Sequence, residues 1–257
     1  MSPAYIETAV KIAAQAGDLA LHYFRQGVEV RKKGKIDLVT EADVAVEEQI
    51  VSELREEFPG HGLLREEGEA ENLAEEFVWV VDPIDGTTNF AHGYPMFCVS
   101  IGLRRQGREV AGVVYAPVLQ EMFWAAEGEG AWLNGRRIRV SEVAKLEDGM
   151  LCTGFPYDVH RHYEDVLGDL ERVLPAAQAV RRDGSAALNL CYVAAGRFDG
   201  FWERRLHPWD TAAARVVVTE AGGRVSRFDG GPYSIFDGEI LASNGRIHDQ
   251  MIRILVR

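Results

Sequence analysis

The sequence is poor in the features that secreted, membrane-spanning and zinc-binding proteins require. It holds three cysteines in 257 residues, an odd number in apolar surroundings, which predicts reduced core residues and neither disulfides nor a zinc site. They are Cys98, Cys152 and Cys191. No apolar run reaches about 18 residues, and the first residues lack a basic segment followed by an apolar one. We therefore expect a cytoplasmic protein without a membrane helix.

Positive charge is also scarce. The chain has 28 Lys and Arg residues against 40 Asp and Glu residues, a net charge of −12. Phosphate backbones select basic surfaces, so a nucleic-acid partner is not expected. A small anionic ligand remains compatible with this charge, because a bound divalent cation reverses the local field. Hydrophobic residues make up 47% and charged residues 26% of the chain, as in globular proteins with a sizeable core.

Hydrophobic periodicity predicts a mixed, layered architecture. The first half is expected to hold helices at 4–26 and 40–57, an extended or hairpin segment at 28–39, an acidic loop at 60–76, and strands at 77–82, 99–103, 110–115 and 121–126. A further β segment at 130–140 is expected to turn as a hairpin at Asn134-Gly135. The second half is expected to alternate strands at 150–154, 178–182, 198–203, 224–228 and 239–243 with helices at 160–174, 185–195, 211–221 and 247–256. We expect a single structural unit over residues 1–257, made of two halves at about 1–145 and 146–257.

The most informative stretch follows the apolar strand 77–81. It reads Val81-Asp82-Pro83-Ile84-Asp85-Gly86-Thr87-Thr88-Asn89-Phe90. Asp82 and Asp85 lie where the strand leaves the core, and Pro83 and Gly86 favour a rigid, tight bend there. Paired hard oxygen ligands on such a turn suit Mg²⁺.

The backbone N–H groups after the aspartates strengthen this interpretation. Those of Gly86, Thr87 and Thr88 follow where a helix could begin and an anion could bind. Metal and phosphate sites side by side indicate phosphoryl chemistry. Asp-Pro and Asp-Gly are also ordinary turn formers, however, so 82–86 alone is equally typical of a simple loop.

The full decapeptide resembles a signature of the inositol monophosphatase family, the Mg²⁺-dependent, lithium-sensitive sugar phosphatases. A second segment, 209–214, resembles that family's other signature in the family's order; it reads Trp209-Asp210-Thr211-Ala212-Ala213-Ala214. The resemblance spans nearly the whole chain. It implies a five-layer α-β-α-β-α sandwich of mixed α and β structure, of the inositol monophosphatase and fructose bisphosphatase type, and commonly a homodimer.

The resemblance also implies a site for two or three Mg²⁺ ions per subunit. The implied ligands are Glu66, Asp82, the Ile84 carbonyl, Asp85 and Asp210, with Asp82 bridging two ions. From the residues alone, Glu66 and Glu67 are more typical of a solvated charge run, and the resemblance instead implies that Glu66 is a ligand and Glu67 its neighbour. Asp210 is also typical of a helix N-cap. The surroundings of Glu66 depart from the family pattern, because Arg65 replaces a common Gly and Gly68 a common Ser.

A catalytic pair is implied by the same match. Thr40-x-x-Asp43 reads as a variant of a capping box, but the family pairs the equivalent Asp with the first Thr of the Gly-Thr-Thr turn. That pair is Asp43 and Thr87, which would orient and polarise the attacking water beside the metal held by Glu66. The two roles of Asp43 are compatible.

Substrate contacts are carried over from the family's motifs. They are Asp85, Gly86, Thr87, Thr88, Gly184, Ser185, Ala186, Glu203 and Asp210. The Ser185 hydroxyl and nearby backbone are expected to meet the alcohol part of the substrate. Glu203 alternatively reads as a surface strand residue. Most discrimination between substrates is expected from 152–163 and 181–203.

The implied reaction is hydrolysis of a phosphate monoester such as myo-inositol 1-phosphate, without a covalent enzyme intermediate. Fructose 1,6-bisphosphate, histidinol phosphate and phosphoadenosine phosphate are alternative substrates of the same chemistry. A haloacid-dehalogenase-type phosphatase uses Asp-x-Asp, whereas the spacing here is Asp-x-x-Asp. An alternative of another class is a non-catalytic, partner-binding role in transcription.

Overall fold

The computed structural model describes residues 3–27, 30–32 and 38–256, and in these ranges seven α-helices pack with two large sheets. The helices are α1 (Pro3–Gln26), α2 (Glu41–Glu57), α3 (Thr87–Ala91), α4 (Val159–Val173), α5 (Ala186–Ala194), α6 (Pro208–Glu220) and α7 (His248–Leu255). None of the described helices is long and apolar enough to cross a membrane. The three cysteines are buried and unbridged, as predicted.

A short ribbon and a seven-stranded sheet come from the first half of the chain. Their strands are β1 (Val30–Lys32), β2 (Leu38–Thr40), β3 (Gly62–Arg65), β4 (Phe77–Asp85), β5 (Cys98–Arg105), β6 (Arg108–Ala116), β7 (Glu121–Ala126), β8 (Gly130–Leu133) and β9 (Arg136–Ile138). β1 and β2 pair antiparallel, within the predicted extended segment; 28–29 and 33–37 of that segment lie outside the described residues. The large sheet runs β3 to β9 in chain order, with only β3–β4 parallel among its pairs.

β3 corrects the prediction of an acidic loop over 60–76. Leu63 is buried, and the strand pairs with β4 from Gly62↔Val78 to Arg65↔Val81. The sequence signal was weak because this strand is short and is followed by a run of acidic residues. Its parallel pairing carries the chain to Glu66 beside the end of β4.

A five-stranded sheet comes from the second half. Its strands are β10 (Met150–Thr153), β11 (Ala179–Arg181), β12 (Gly200–Arg204), β13 (Arg224–Ser226) and β14 (Glu239–Ser243). Their order is β11-β10-β12-β14-β13, with β10 parallel to both neighbours and β14 antiparallel to both of its own. The predicted alternation of strands and helices is confirmed.

The layers follow from which faces are apolar. α1 and α2 pack together and cover one face of the seven-stranded sheet, and α6 packs on its other face. α5 and α6 contact each other and also the five-stranded sheet, while α4 and α7 meet on the outer side of that sheet. The predicted α-β-α-β-α sandwich is therefore confirmed.

α6 approaches the seven-stranded sheet closely because both surfaces are nearly bare of side chains. A Cβ added at Gly112 on β6 would lie 2.6 Å from the Ala213 carbonyl carbon, and one at Gly102 on β5 would lie 3.0 Å from the Ala213 nitrogen. Ala212 and Ala214 are fully buried beside this contact. The beginning of α6 is thereby held against the centre of the sheet.

Candidate active site

β4 brings Asp82 and Asp85 to one place through an irregularity in its pairing. Asp82 pairs with Ser100 and Asp85 with Cys98. Between these two pairs β4 has one more residue than β5, which is a bulge. Side chains three positions apart in a regular strand point to opposite faces, and an extra residue re-aims one of them. Both aspartates are buried.

Asp82 is a buried carboxylate surrounded by other acidic groups. Its Oδ1 is buried and has no hydrogen-bond partner among the described residues. Burial raises the pKa of Asp82 well above its ordinary value, and the negative charges of Glu66, Asp85, Asp210 and Asp43 raise it further. A cation beside Asp82 would relieve both the burial cost and the repulsion.

Asp85 is held, in contrast, by the beginning of α5. The Ser185 hydroxyl donates to Asp85 Oδ2 at 2.7 Å, the Ala187 N–H to the same oxygen at 2.7 Å, and the Ala186 N–H to Oδ1 at 3.2 Å. Burial raises the pKa of Asp85, and these hydrogen bonds lower it. The Cys98 thiol adds a contact at 3.7 Å. The Ser185 hydroxyl is thus engaged with Asp85, whereas we expected it to meet the substrate.

Asp43 and Thr87 lie together, as the family match implies. The Thr87 hydroxyl is 3.2 Å from Asp43 Oδ1 and 3.1 Å from the Ile84 carbonyl oxygen. Asp43 Oδ2 accepts from the Thr40 N–H at 2.8 Å, and the Thr40 hydroxyl accepts from backbone N–H groups of α2. The capping box is therefore present, and one oxygen of Asp43 caps α2 while the other meets Thr87.

Gly86 makes the turn between Asp85 and α3. Its φ of +101° lies in a region that favours glycine, and an added Cβ would be 2.9 Å from the Met96 carbonyl oxygen. The backbone N–H groups of Thr87 and Thr88 follow in the first turn of α3. The short helix therefore starts where the sequence indicated.

Asp210 is the third residue of α6, because the helix begins at Pro208 and not at 211 as predicted. Its Oδ2 accepts from the backbone N–H of His207 at 2.6 Å. Proline is favoured at the first position of a helix, and this signal was available in the sequence. Burial and the charge of Asp85 raise the pKa of Asp210 to about 8.

Glu66 and Glu67 follow β3 on the same side of the fold. The Glu67 N–H donates to Glu47 Oε2 at 2.8 Å, which anchors this turn to α2. Arg65, the departure from the family pattern, pairs with Glu71 at 2.8 Å. Glu66 is close enough to raise the pKa values of both Asp82 and Tyr157.

A cleft of about 70 Å³ opens beside Asp85 and Asp210. It is lined by Asp85, Thr88, Phe155, Pro156, Tyr157, Arg182, Gly184, Ala186, Glu203, Arg205, Leu206, His207 and Asp210. Glu203 is buried, and burial raises its pKa well above the ordinary value. Gly154 leaves room for the Glu203 carboxylate, since any Cβ there would collide with it.

Several lining residues were not named as site residues from the sequence. Phe155, Pro156 and Tyr157 fall in the segment 152–163, and Arg182 in 181–203, which were expected to carry discrimination. Arg205 and the two residues after it gave no signal, because a basic residue at a strand end is ordinary.

Known proteins resemble the chain over its whole length. The family model described as inositol monophosphatase family matches residues 3–257. The chain belongs to the inositol monophosphatase family. It is 44% identical over 260 residues to inositol-1-monophosphatase of Synechocystis sp., an alignment that covers 99% of this chain and 91% of that protein.

Two further relatives of this family member carry the name SuhB. The chain is 42% identical over 250 residues to the Nus factor SuhB of Escherichia coli strain K12, with 96% of this chain and 94% of that protein covered. The solved structure of extragenic suppressor protein suhB from Bartonella henselae superposes with a TM-score of 0.95 at 41% identity, covering 99% of each chain. The family and the names of its inositol-1-monophosphatase relatives support a phosphatase.

Inositol monophosphatases are generally metal-dependent, so the donor set of this member was tested for fit. In the described ranges, no group of three or more His, Cys, Asp or Glu side chains stands close enough to hold one metal ion. The unpaired buried Oδ1 of Asp82 and the mutual repulsion of the carboxylates nevertheless fit a hard cation. Asp85 and Asp210 line the same cleft, and Asp82 is close enough to both for their charges to raise its pKa.

Proposed function

We propose that this protein is a Mg²⁺-dependent, lithium-sensitive phosphomonoesterase, and that myo-inositol 1-phosphate is among its substrates. The observation that carries the proposal is Asp82, a buried carboxylate with an unpaired oxygen among the described residues and with acidic neighbours on several elements. Such an arrangement is costly without a cation. In a phosphatase of this family, such a cation would take part in the hydrolysis of the substrate.

Two or three Mg²⁺ ions would be held by the residues that match the family's ligands. These are Glu66, Asp82, the Ile84 carbonyl, Asp85 and Asp210. When bound, the metal supplies a water of lowered pKa and neutralises negative charge on the phosphate and on the leaving oxygen. The fixed orientation of Asp85 by α5 supports this assignment, since a ligand must be held in place before the ion arrives.

Thr87 and Asp43 are proposed to position the attacking water. The Thr87 hydroxyl can give its proton to Asp43 at 3.2 Å and leave its lone pairs for the water. Thr40 holds the other oxygen of Asp43, so the pair has little freedom to turn. A water aligned in this way attacks in line with the leaving oxygen. We assign the phosphate contacts to Gly86, Thr87 and Thr88.

The alcohol part of the substrate is proposed to occupy the cleft beyond the phosphate. Glu203, Gly184 and Ala186 line it, together with Asp85 and Asp210. The carboxylates would accept hydrogen bonds from hydroxyl groups of a polyol or sugar. Ser185 contributes through Asp85, since its hydroxyl is already bonded there.

A phosphate-release panel tests the proposal. Myo-inositol 1-phosphate, fructose 1,6-bisphosphate, histidinol phosphate and phosphoadenosine phosphate would each be assayed with Mg²⁺, with EDTA, and with Mg²⁺ plus Li⁺. We expect Mg²⁺-dependent release from myo-inositol 1-phosphate and its inhibition by Li⁺. Exclusive hydrolysis of another compound would change the substrate and leave the chemistry standing. Release in EDTA, or from none of the compounds with Mg²⁺, would reject the function.

A second candidate is suggested by a name among the relatives. The Escherichia coli relative, 42% identical, is called a Nus factor, so this chain could also bind transcription machinery without using its catalytic groups. The test is retention of RNA polymerase from extract of the source cell on the immobilised protein, with the Asp82→Asn protein in parallel. Equal retention by both would favour the second role, and none would reject it. We also propose a cytoplasmic homodimer, which sedimentation analysis would check.

A further inference from the structure

One wall of the cleft is formed by three consecutive residues shortly before α4. They are Phe155, Pro156 and Tyr157, and all three line the cleft. The backbone N–H of Val159 donates to the Pro156 carbonyl oxygen at 2.9 Å, which closes a turn around Tyr157. Since proline fixes its own φ, the backbone that enters this turn has little freedom.

The residues near Tyr157 are supported on both sides by arginines. The guanidinium of Arg182 lies over the Phe155 ring, with Cζ 5.0 Å from the ring centre. Asp158 Oδ2 is 3.8 Å from Arg205 Nη1. Each contact is weak by itself where the side chains are partly exposed, but together they hold both ends of the short segment. The turn therefore presents Tyr157 to the cleft in a supported position.

The hydroxyl of Tyr157 makes no hydrogen bond with any residue that the structure describes. Other tyrosine hydroxyls in packed surroundings have a partner: that of Tyr233 lies 2.8 Å from the Thr211 hydroxyl, and that of Tyr192 donates to Glu121 Oε2 at 3.2 Å. A tyrosine that is held in place usually pairs its O–H group. Tyr157 is 42% exposed, so its hydroxyl is available to a molecule that enters the cleft.

Tyr157 lies near the acids that are proposed to hold Mg²⁺. Partial burial raises the pKa of Tyr157, and so do the negative charges of four of these acids. They are Glu66, Asp85, Asp210 and Asp82. Tyr157 also shares the cleft lining with Thr88, one of the proposed phosphate contacts. Its neighbours therefore place Tyr157 at the end of the cleft where the phosphate is proposed to bind.

We propose that the Tyr157 hydroxyl binds the phosphate of the substrate by donating a hydrogen bond to one of its non-bridging oxygens. Gly86, Thr87 and Thr88 approach the phosphate from the first half of the chain, and Tyr157 adds a donor from the second half. A hydroxyl is a neutral donor that forms a strong hydrogen bond with a charged oxygen. The inference rests on the proposed function, because it completes the proposed site for the phosphate.

A competing explanation is that Tyr157 only shapes the cleft wall with its ring. Three variants separate the two explanations. Tyr157→Phe keeps the ring and removes the hydroxyl, whereas Tyr157→Ala removes both. Tyr163→Phe is the matched control, because Tyr163 is 52% exposed on α4 and its hydroxyl lies 3.4 Å from Oε1 of the neighbouring Glu164. Melting temperatures verify that all three variants are folded.

The first measurement is steady-state hydrolysis of the best substrate of the four-compound panel in saturating Mg²⁺. A hydrogen bond to a phosphate that is already charged stabilises the bound substrate and the transition state alike, so its loss changes KM and not kcat. We expect KM to rise about tenfold in Tyr157→Phe, as for one hydrogen bond to a charged group, with kcat changed little. Tyr163→Phe should match the unmodified protein. An unchanged KM in Tyr157→Phe, with a loss only in Tyr157→Ala, would overturn the proposal.

Binding of inorganic phosphate gives a measurement without turnover. Calorimetric titration with phosphate in saturating Mg²⁺ should give a Kd about tenfold higher for Tyr157→Phe than for the unmodified protein, and the affinity for Mg²⁺ itself should be unchanged. Equal phosphate affinities, no phosphate binding by the unmodified protein, or a parallel loss of Mg²⁺ affinity would overturn the proposal. Weakened phosphate binding in Tyr157→Phe, when the unmodified protein hydrolyses none of the four compounds, would instead count against the proposed function alone.

Discussion

The two halves of the chain contribute to the candidate active site in opposite ways. The seven-stranded half supplies Asp82, whose Oδ1 is buried and unpaired among the described residues. The five-stranded half supplies donors that hold acids in place: Ser185 and the N–H of Ala187 hold Asp85, and the N–H of His207 holds Asp210. In the proposed function, the first half supplies a carboxylate that a cation would neutralise, and the second half holds the other carboxylates in fixed orientations. Substitutions in the two halves should therefore differ in their effects on activity, Mg²⁺ affinity and stability.

The largest effect is expected from Asp82→Asn. Activity should fall to near background, because the amide removes the charge that would bridge two ions. The Mg²⁺-free fold should be at least as stable, since the buried charge and its repulsion disappear. Phosphate release and thermal unfolding in EDTA measure the two quantities. Asp18→Asn, at an exposed position on α1, is the control.

Asp210→Asn, on the other side of the cleft, should lose less. Excess Mg²⁺ should restore part of its activity and little of that of Asp82→Asn. Calorimetric Mg²⁺ titrations with unchanged affinity and ion count in both variants would remove the two residues from the metal site.

Thr87→Ala should cause the next largest loss of activity after the two aspartate variants. We expect kcat to fall about 10²–10⁴-fold, the range for a positioned acid–base partner, with a much smaller change in substrate binding. Thr219→Ala, an exposed helical threonine, controls for loss of a hydroxyl. A parallel loss of melting temperature and activity would show that Thr87 only shapes the turn at Ile84 and Asp43.

Ser185→Ala should have a moderate effect that tests the second half. Without the 2.7 Å hydrogen bond, Asp85 loses one of its donors and its pKa rises further. The apparent Mg²⁺ affinity should drop about tenfold, consistent with one hydrogen bond to a charged group. Ser226→Ala, which removes a buried hydroxyl bonded to His248, should lower stability and leave Mg²⁺ affinity unchanged. Identical Mg²⁺ affinities in both variants would contradict the positioning role of Ser185.

The smallest effect concerns stability against pH in EDTA. The pKa of Asp210 is raised from 3.8 to about 8 in the folded protein. The folded state therefore holds a proton that the unfolded chain has lost, and stability falls as pH rises towards 8. Above pH 6.5, buried His248, with its pKa lowered to about 4, does not contribute an opposing trend.

We expect the melting temperature to fall by a few degrees between pH 6.5 and 8. Asp210→Asn should flatten the curve, and saturating Mg²⁺ should do the same for the unmodified protein. A slope that persists in Asp210→Asn would assign it to another group, such as Glu203, whose pKa is also raised.

Local patterns predicted the first half of the site well. The apolar run before Asp82, the capping box of Thr40 and Asp43, and the glycine turn at Gly86 all depend on neighbours in sequence. The bond from Ser185 to Asp85 joins residues 100 positions apart, and no periodicity encodes it. β3 was missed because it is short and precedes a run of acidic residues, although pairing with β4 stabilises it.

In the second half of the chain, the sequence signals for the site residues were harder to recognise. Pro208 begins α6 earlier than the small residues suggested. Asp210, expected as an N-cap, is therefore the third residue of the helix and part of a capping box. Arg205 could not be assigned from sequence, because its direction depends on a left-handed backbone at the end of β12.

The bare contact between Gly112 and Ala213 has a consequence for how the protein tolerates mutation. A methyl group at position 112 would meet the helix backbone 2.6 Å away and would lift α6 from the sheet. Asp210 moves with α6, whereas Asp82 belongs to the sheet, so that displacement would widen the gap between two acids that we propose hold the same ion. In a library of variants selected for turnover, position 112 would accept glycine alone, although it touches neither substrate nor metal.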